Sequence, residues 1–128
     1  MSNPPNIVNV AQIFGVTETT NLTGTSPTAP TPIMPNPASH YTHKVNMIIV
    51  SNIDGTNNCD IDIYIDENTT ETYLAKTVTI PADSSLSLID TPLYISHGAT
   101  GTGNRLMAVA QTADDLDVVV SYEQITDV

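Results

Sequence analysis

Residues 60–66 read Asp-Ile-Asp-Ile-Tyr-Ile-Asp, a strict alternation of apolar and polar side chains. Only an extended strand, whose successive side chains point to opposite faces, sorts such a run into one dry and one wet side. Ile61, Ile63 and Ile65 are therefore expected to face a core, with Asp60, Asp62, Tyr64 and Asp66 toward water. The same period recurs in 116–125, where Leu116, Val118, Val120 and Tyr122 form the apolar set. In 104–112, Leu106, Ala108 and Ala110 share one side and Arg105, Met107, Val109 and Gln111 the other, both mildly apolar, as in a strand covered on two faces. Met47 to Val50 has no wet side at all. Seven runs of this kind, at 44–52, 60–66, 73–80, 84–90, 93–95, 104–112 and 116–125, are separated by Gly, Asn, Asp and Pro. None of the links is long enough for a crossover helix, so pairing should be antiparallel. The expected fold is all-β: a seven-stranded antiparallel β-sandwich, Ig-like or jelly-roll-like.

Proline divides the chain in two. Seven of the nine prolines (Pro4, Pro5, Pro27, Pro30, Pro32, Pro35 and Pro37) precede Lys44. Each fixes φ, removes a backbone donor and disfavours helix at the residue before it. Residues 1–44 are accordingly expected to form an extended Pro/Thr-rich N-terminal arm, and residues 45–128 the sandwich domain. Charge sorts at the same boundary: residues 1–44 carry only Glu18 and Lys44, whereas the rest holds 13 acids against Lys76 and Arg105, and so the whole net charge of −11. The neutral arm carries an apolar patch, Ile7, Val8, Val10, Ile13, Phe14 and Val16, and a second stretch, Pro30, Pro32, Ile33, Met34 and Pro35. These residues are the candidate contacts with a partner protein or a neighbouring subunit.

Other chemistries find little support. At 128 residues the chain has room for one ordinary domain, so an enzyme with separate cofactor and substrate domains is excluded. A net charge of −11 opposes binding to phosphate backbones and anionic membrane surfaces, so neither nucleic acid nor membrane is an expected partner. The single cysteine, Cys59, can form no internal disulfide, and His40, His43 and His97 are scattered far from zinc-site spacing, so no metal is assigned. Asp60, Asp62 and Asp66, with Asp54 nearby, invite a calcium reading. Alternate strand positions stand about 6.6 Å apart, too wide for one ion to bridge, and a solvated sheet face explains the acids more simply. No nucleophile motif or phosphate loop is visible, so no catalytic residue and no cofactor are assigned and the chain is not expected to be an enzyme. Asn21-Leu22-Thr23 and Asn68-Thr69-Thr70 match the glycosylation pattern, which chance explains in so Thr-rich a chain. The opening MSNPPNIVNV has no cationic stretch followed by an apolar run, so the chain is expected to be made and kept soluble in a cytoplasm.

Four stretches then fall into an order. They are Tyr73-Leu74-Ala75-Lys76-Thr77-Val78-Thr79-Ile80-Pro81-Ala82; Leu86-x-Leu88-Ile89-x-x-x-Pro92-Leu93-Tyr94-Ile95; Asn104-Arg105-Leu106-x-Ala108-x-Ala110; and Asp115-Leu116-Asp117-Val118-x-x-Ser121-Tyr122-Glu123-Gln124-Ile125. As an ordered set over residues 45–127 they resemble a family of small virion structural proteins of tailed bacteriophages. One departure is Gly103-Asn104, where that family's pattern has an acidic Gly-Asp turn. The resemblance implies a β-sandwich component of a phage particle, without catalytic residues.

Combined with the arm, this points to a capsid decoration (cement) protein. Such a protein would bind the major capsid protein on the outer head surface and stabilise the shell through its arm and a homo-oligomeric sandwich, dimer or trimer. The alternatives are a neck, tail or fibre-base component of the virion, and a carbohydrate- or calcium-binding module suggested by Tyr64 among the acids.

Overall fold

The computed structural model describes residues 10–67, 69–97 and 104–127. Nine strands run in order: β1 (Val10–Asn21), β2 (Thr31–Met34), β3 (Tyr41–Asn52), β4 (Cys59–Glu67), β5 (Thr70–Ile80), β6 (Ser85–Ser87), β7 (Leu93–Ser96), β8 (Asn104–Ala110) and β9 (Leu116–Asp127). They form two sheets, one ordered β1-β9-β3-β6 with β7 also paired to β3, the other ordered β2-β8-β4-β5. Every pairing is antiparallel. The described residues are thus all-β, with two sheets facing each other in a sandwich-like arrangement.

The two dry faces meet in one core. Val45, Ile48, Val50, Leu116, Val118, Val120 and Tyr122 from the first sheet pack against Ile61, Ile63, Leu106, Ala108 and Ala110 from the second. The alternation of 60–66 thus does what its period requires for Ile61 and Ile63, both fully buried. Cys59 is buried beside them. With one Phe and no Trp in the chain, the core depends on many medium-sized aliphatic side chains.

The pairings are nested along the chain. β4 pairs with β5, β3 with β6 and β7, β2 with β8, and β1 with β9. Successive pairs fall alternately in the two sheets. The described chain is in effect one long hairpin, doubled back between β4 and β5 and rolled up so that β1 and β9 lie side by side.

This corrects the expected arm. From Val10 onward the leading segment is built into the sandwich: β1 lies along the full length of β9, β2 borders the second sheet, and β3 begins at Tyr41 rather than 44. Among the described residues the strands number nine instead of seven. Two physical reasons stand out. Val16, Glu18, Thr20 and Leu22 alternate with Thr17, Thr19 and Asn21, a strand pattern whose last apolar member is fully buried. The described prolines before Lys44 occupy places a sheet tolerates, since Pro32 stands on β2, an edge strand, and Pro27, Pro30, Pro35 and Pro37 lie in the connections around it. Gly24 makes the return before β2 possible: a Cβ there would lie 2.3 Å from the carbonyl oxygen of Ala29. Its N–H donates to Thr31 Oγ1 and its carbonyl accepts from the Ala110 N–H.

Candidate interaction site

β1 ends one side of its sheet, and its backbone shows which groups are free. Leu22, just past the strand, donates its N–H to the Leu116 carbonyl at 2.9 Å, while its own carbonyl accepts from Asp114. Register runs unbroken from Gln12↔Thr126 to Asn21↔Asp117. Since antiparallel ladders alternate, Phe14, Val16, Glu18 and Thr20 aim their N–H and C=O at β9 as Leu22 does. Ile13, Gly15, Thr17 and Thr19 aim theirs away, toward an edge that no described strand covers. The two most exposed large apolar residues of the strand, Ile13 (57%) and Phe14 (51%), sit on opposite faces of this edge. Gly15 between them has open space where a Cβ would stand.

Beneath the inner face of β1 lies a small polar layer. Tyr122 donates its hydroxyl to Glu18 Oε1 at 3.1 Å and stacks on His43 with ring centroids 4.5 Å apart. Burial and then the Glu18 carboxylate push the Tyr122 hydroxyl up to about 12. Burial holds His43 down to about 4, a neutral imidazole whose Nδ1 has no partner.

The anticipated contact residues divide accordingly. Ile13 and Phe14 are open, Val10 is half-buried, and Val16 packs on the core. Ile7 and Val8 lie outside the described residues. Ile33 (1% exposed) and Met34 (2%) are core residues, which corrects their assignment as docking contacts: a side chain already closed off by its own fold offers nothing to a partner. Pro32 and Pro35 remain exposed and Pro30 is half-buried.

These prolines form one wall of a groove of about 650 Å³ on the outer face of the second sheet, with Tyr64, Asp66, Glu71, Arg105 and Met107 as its other side. Cross-strand register builds that side. Pro32, Met107, Tyr64 and Tyr73 stand in one row across four strands, and Arg105, Asp66 and Glu71 in the next. Sequence alternation places Tyr64 toward water. In the structure it is 1% exposed, because Tyr64, Met107 and Val109 form a second apolar cluster with Tyr73 packed against it. Arg105, half-exposed, closes an ion pair onto the nearly buried Asp66, whose Oδ1 has no partner. Tyr64 meets Tyr73 at 5.2 Å between centroids, and Lys76 Nζ stands 4.6 Å from the Tyr73 ring centre. Burial raises the Tyr64 hydroxyl to about 12, with the Glu71 charge adding to it.

The acids that invite a calcium reading are engaged within the chain. Asp62 accepts from the Thr77 N–H at 2.6 Å and from Lys76 at 3.2 Å, Asp60 accepts from Thr79, and Asp54 accepts from the N–H groups of Thr56 and Asn57 in a local turn. Those two turn bonds hold the Asp54 carboxyl below the usual carboxylate range. Among the described residues no three His, Cys, Asp or Glu side chains converge on one point. No protein-family model matches the chain, and no curated protein is detectably similar to it.

Proposed function

We infer that this chain is a structural subunit of a phage particle, a capsid decoration protein that binds the outer head surface and works by contact, without catalysis. The observation that carries the reading is the open apolar edge of β1, with Ile13 and Phe14 more than half exposed on a strand bearing one charge. Exposed, long, lightly charged edge strands are association surfaces unless something covers them. The ordered likeness of residues 73–125 to small phage virion proteins supports the same reading. So does the nested pairing of the strands, which favours the jelly-roll form of sandwich, a form that serves in viral capsids and in lectins. Fold alone does not fix function, so the weight rests on the edge. Since residues 10–44 belong to the sandwich, the contact with the major capsid protein is made by the rim formed by β1 and the proline segment around β2, and not by a free arm. The acidic remainder faces solvent and stays clear of free DNA.

Two measurements test the reading. Quantitative mass spectrometry of purified particles should find hundreds of copies per head, as expected of a shell-covering protein. A count of a few tens points instead to a neck, tail or fibre-base ring, and absence from particles overturns the reading. Re-loading stripped heads with the doubly substituted Ile13→Asp, Phe14→Asp chain should lower occupancy at least tenfold against the parent, and unchanged occupancy contradicts the role given to β1.

The groove favours a second reading, a carbohydrate-binding module, because Arg105 and Glu71 offer a donor and an acceptor beside apolar Pro32 and Met107. Titration with simple glycosides, followed by amide chemical shifts around Arg105, decides it.

A further inference from the structure

We propose that the free edge of β1 pairs with β1 of a second copy, antiparallel about a two-fold axis at Gly15, joining the two β1-β9-β3-β6 sheets into one continuous sheet. The inference rests on the proposed function and deepens it by giving the backbone edge of β1 to a second copy, which leaves the faces of the joined β1 strands and the proline segment to the capsid protein; it concerns the chain alone and can fail separately.

Chemistry of the edge selects a strand as the occupant. The N–H and C=O groups of Ile13, Gly15, Thr17 and Thr19 point outward in a row, and only another extended backbone satisfies such a row along its length. A closed two-fold pairing uses the same surface on both copies, so the strand must complement itself. In an antiparallel ladder the residues that exchange hydrogen bonds are both edge-facing, here the odd-numbered ones. Only registers pairing odd with odd are therefore open. Two of these bring the twelve-residue strands close to full overlap, one with Gly15 opposite Gly15 and one with Gly15 opposite Thr17.

Charge and packing choose between them. With Gly15 on the axis, Phe14 meets Val16 of the second copy, Ile13 meets Thr17, and Glu18 meets the neutral Gln12. Aromatic and β-branched neighbours are favourable cross-strand pairs, and no like charges face each other. The alternative sets Glu18 against Phe14 of the second copy. The axis residue also has open space where a Cβ would be, so a cysteine placed there meets no atom of its own chain. Each copy carries −11 overall, yet residues 1–44 carry none of that excess, so the meeting strands are the least repelling part of the surface.

Two variants of the full chain test the pairing and its register. In a hydrogen-bonded antiparallel pair the opposed Cα atoms are about 5.5 Å apart, inside the span of a disulfide. Gly15→Cys should therefore cross-link two chains on mild oxidation, whereas Thr19→Cys, whose equivalents would stand about 27 Å apart at the strand rise, should not. Cys59 is buried and should not interfere. Thr17→Pro removes a donor from the free edge only, leaving the β9 ladder intact. In sedimentation across a concentration series the parent should reach twice the monomer mass while Thr17→Pro stays monomeric with an unchanged circular dichroism spectrum. Should Thr17→Pro fail to fold, Phe14→Lys serves the same purpose, and the cross-linking result stands independently. A parent that stays monomeric throughout overturns the proposal, as does a dimer indifferent to these substitutions or a faster cross-link through position 19. A monomeric Thr17→Pro that still loads onto heads would separate the two claims, leaving self-pairing supported and showing that capsid binding does not require it.

Discussion

Replacing Leu22 by alanine asks whether the leading segment belongs to the fold. Leu22 is fully buried at the end of β1, within the main cluster and hydrogen-bonded through its N–H to Leu116. Removing its isobutyl group forfeits transfer free energy and leaves a cavity, a loss of about 2 to 5 kcal/mol for a buried leucine. For a domain of this length 1 kcal/mol corresponds to about 4 °C, so about 3 kcal/mol lowers Tm by about 12 °C. Ile13→Ala on the same strand is the control: its side chain is 57% exposed, and the substitution should stay within about 0.5 kcal/mol. Urea titration of both variants, with equal slopes and a shifted midpoint for Leu22→Ala, is the assay. If Leu22→Ala unfolds at the same midpoint as Ile13→Ala, the placement of β1 against the core is wrong.

Further outcomes follow from the same packing. Gly24→Ala should cost about 2 kcal/mol or more, because its Cβ would press on the Ala29 carbonyl at 2.3 Å, while Gly15→Ala, with open space, should be near neutral by thermal melting. Stability should be highest between about pH 6.5 and 10. His43, neutral in the fold with its value held down to about 4, takes up its proton in the unfolded chain first, so stability falls as pH drops from 6.5 toward 4, by up to about 3 kcal/mol. Tyr122, raised to about 12, keeps its proton longer in the fold than in the unfolded chain, so its contribution is whole below 10 and fades as pH climbs through 12. A His43→Phe chain should lose the acid limb of that profile, which denaturation midpoints across pH will show. Arg105→Met should destabilise by about 1 to 3 kcal/mol by stranding the Asp66 carboxylate, and a double-mutant cycle with Asp66→Asn should return a coupling above about 0.5 kcal/mol.

The strands of the acidic body were readable because their patterns are local. Asp60 to Asp66 and Leu116 to Tyr122 show their dry faces within a few residues, and the structure buries Ile61, Ile63, Leu116, Val118 and Val120 as the period demands. What escaped is set by distance along the chain. β1 is held by β9, about a hundred residues away, and β2 by β8, so neither the Val16-to-Leu22 alternation nor the short Thr31–Met34 stretch announces its partner. Proline density in the leading segment points to a free arm, although Pro32 and the described prolines beside it sit only where an edge strand and its connections tolerate them. Tyr64 departs from its expected side for a related reason: its neighbours Met107 and Tyr73 come from two other strands, and they dry a face that alternation alone marks as wet. Of the candidate site, Ile13 and Phe14 were visible as an apolar patch. Their standing on an uncovered edge, and the ion pair between Asp66 and Arg105, required the register.

Hydrogen exchange of the β1 amides, read residue by residue in a dilute monomer, tests the account most directly. Protection should alternate, with Phe14, Val16, Glu18 and Thr20 slow because they bond to β9, and Ile13, Gly15, Thr17 and Thr19 fast. Uniformly fast exchange from 12 to 21 would mean that the segment is a free arm after all.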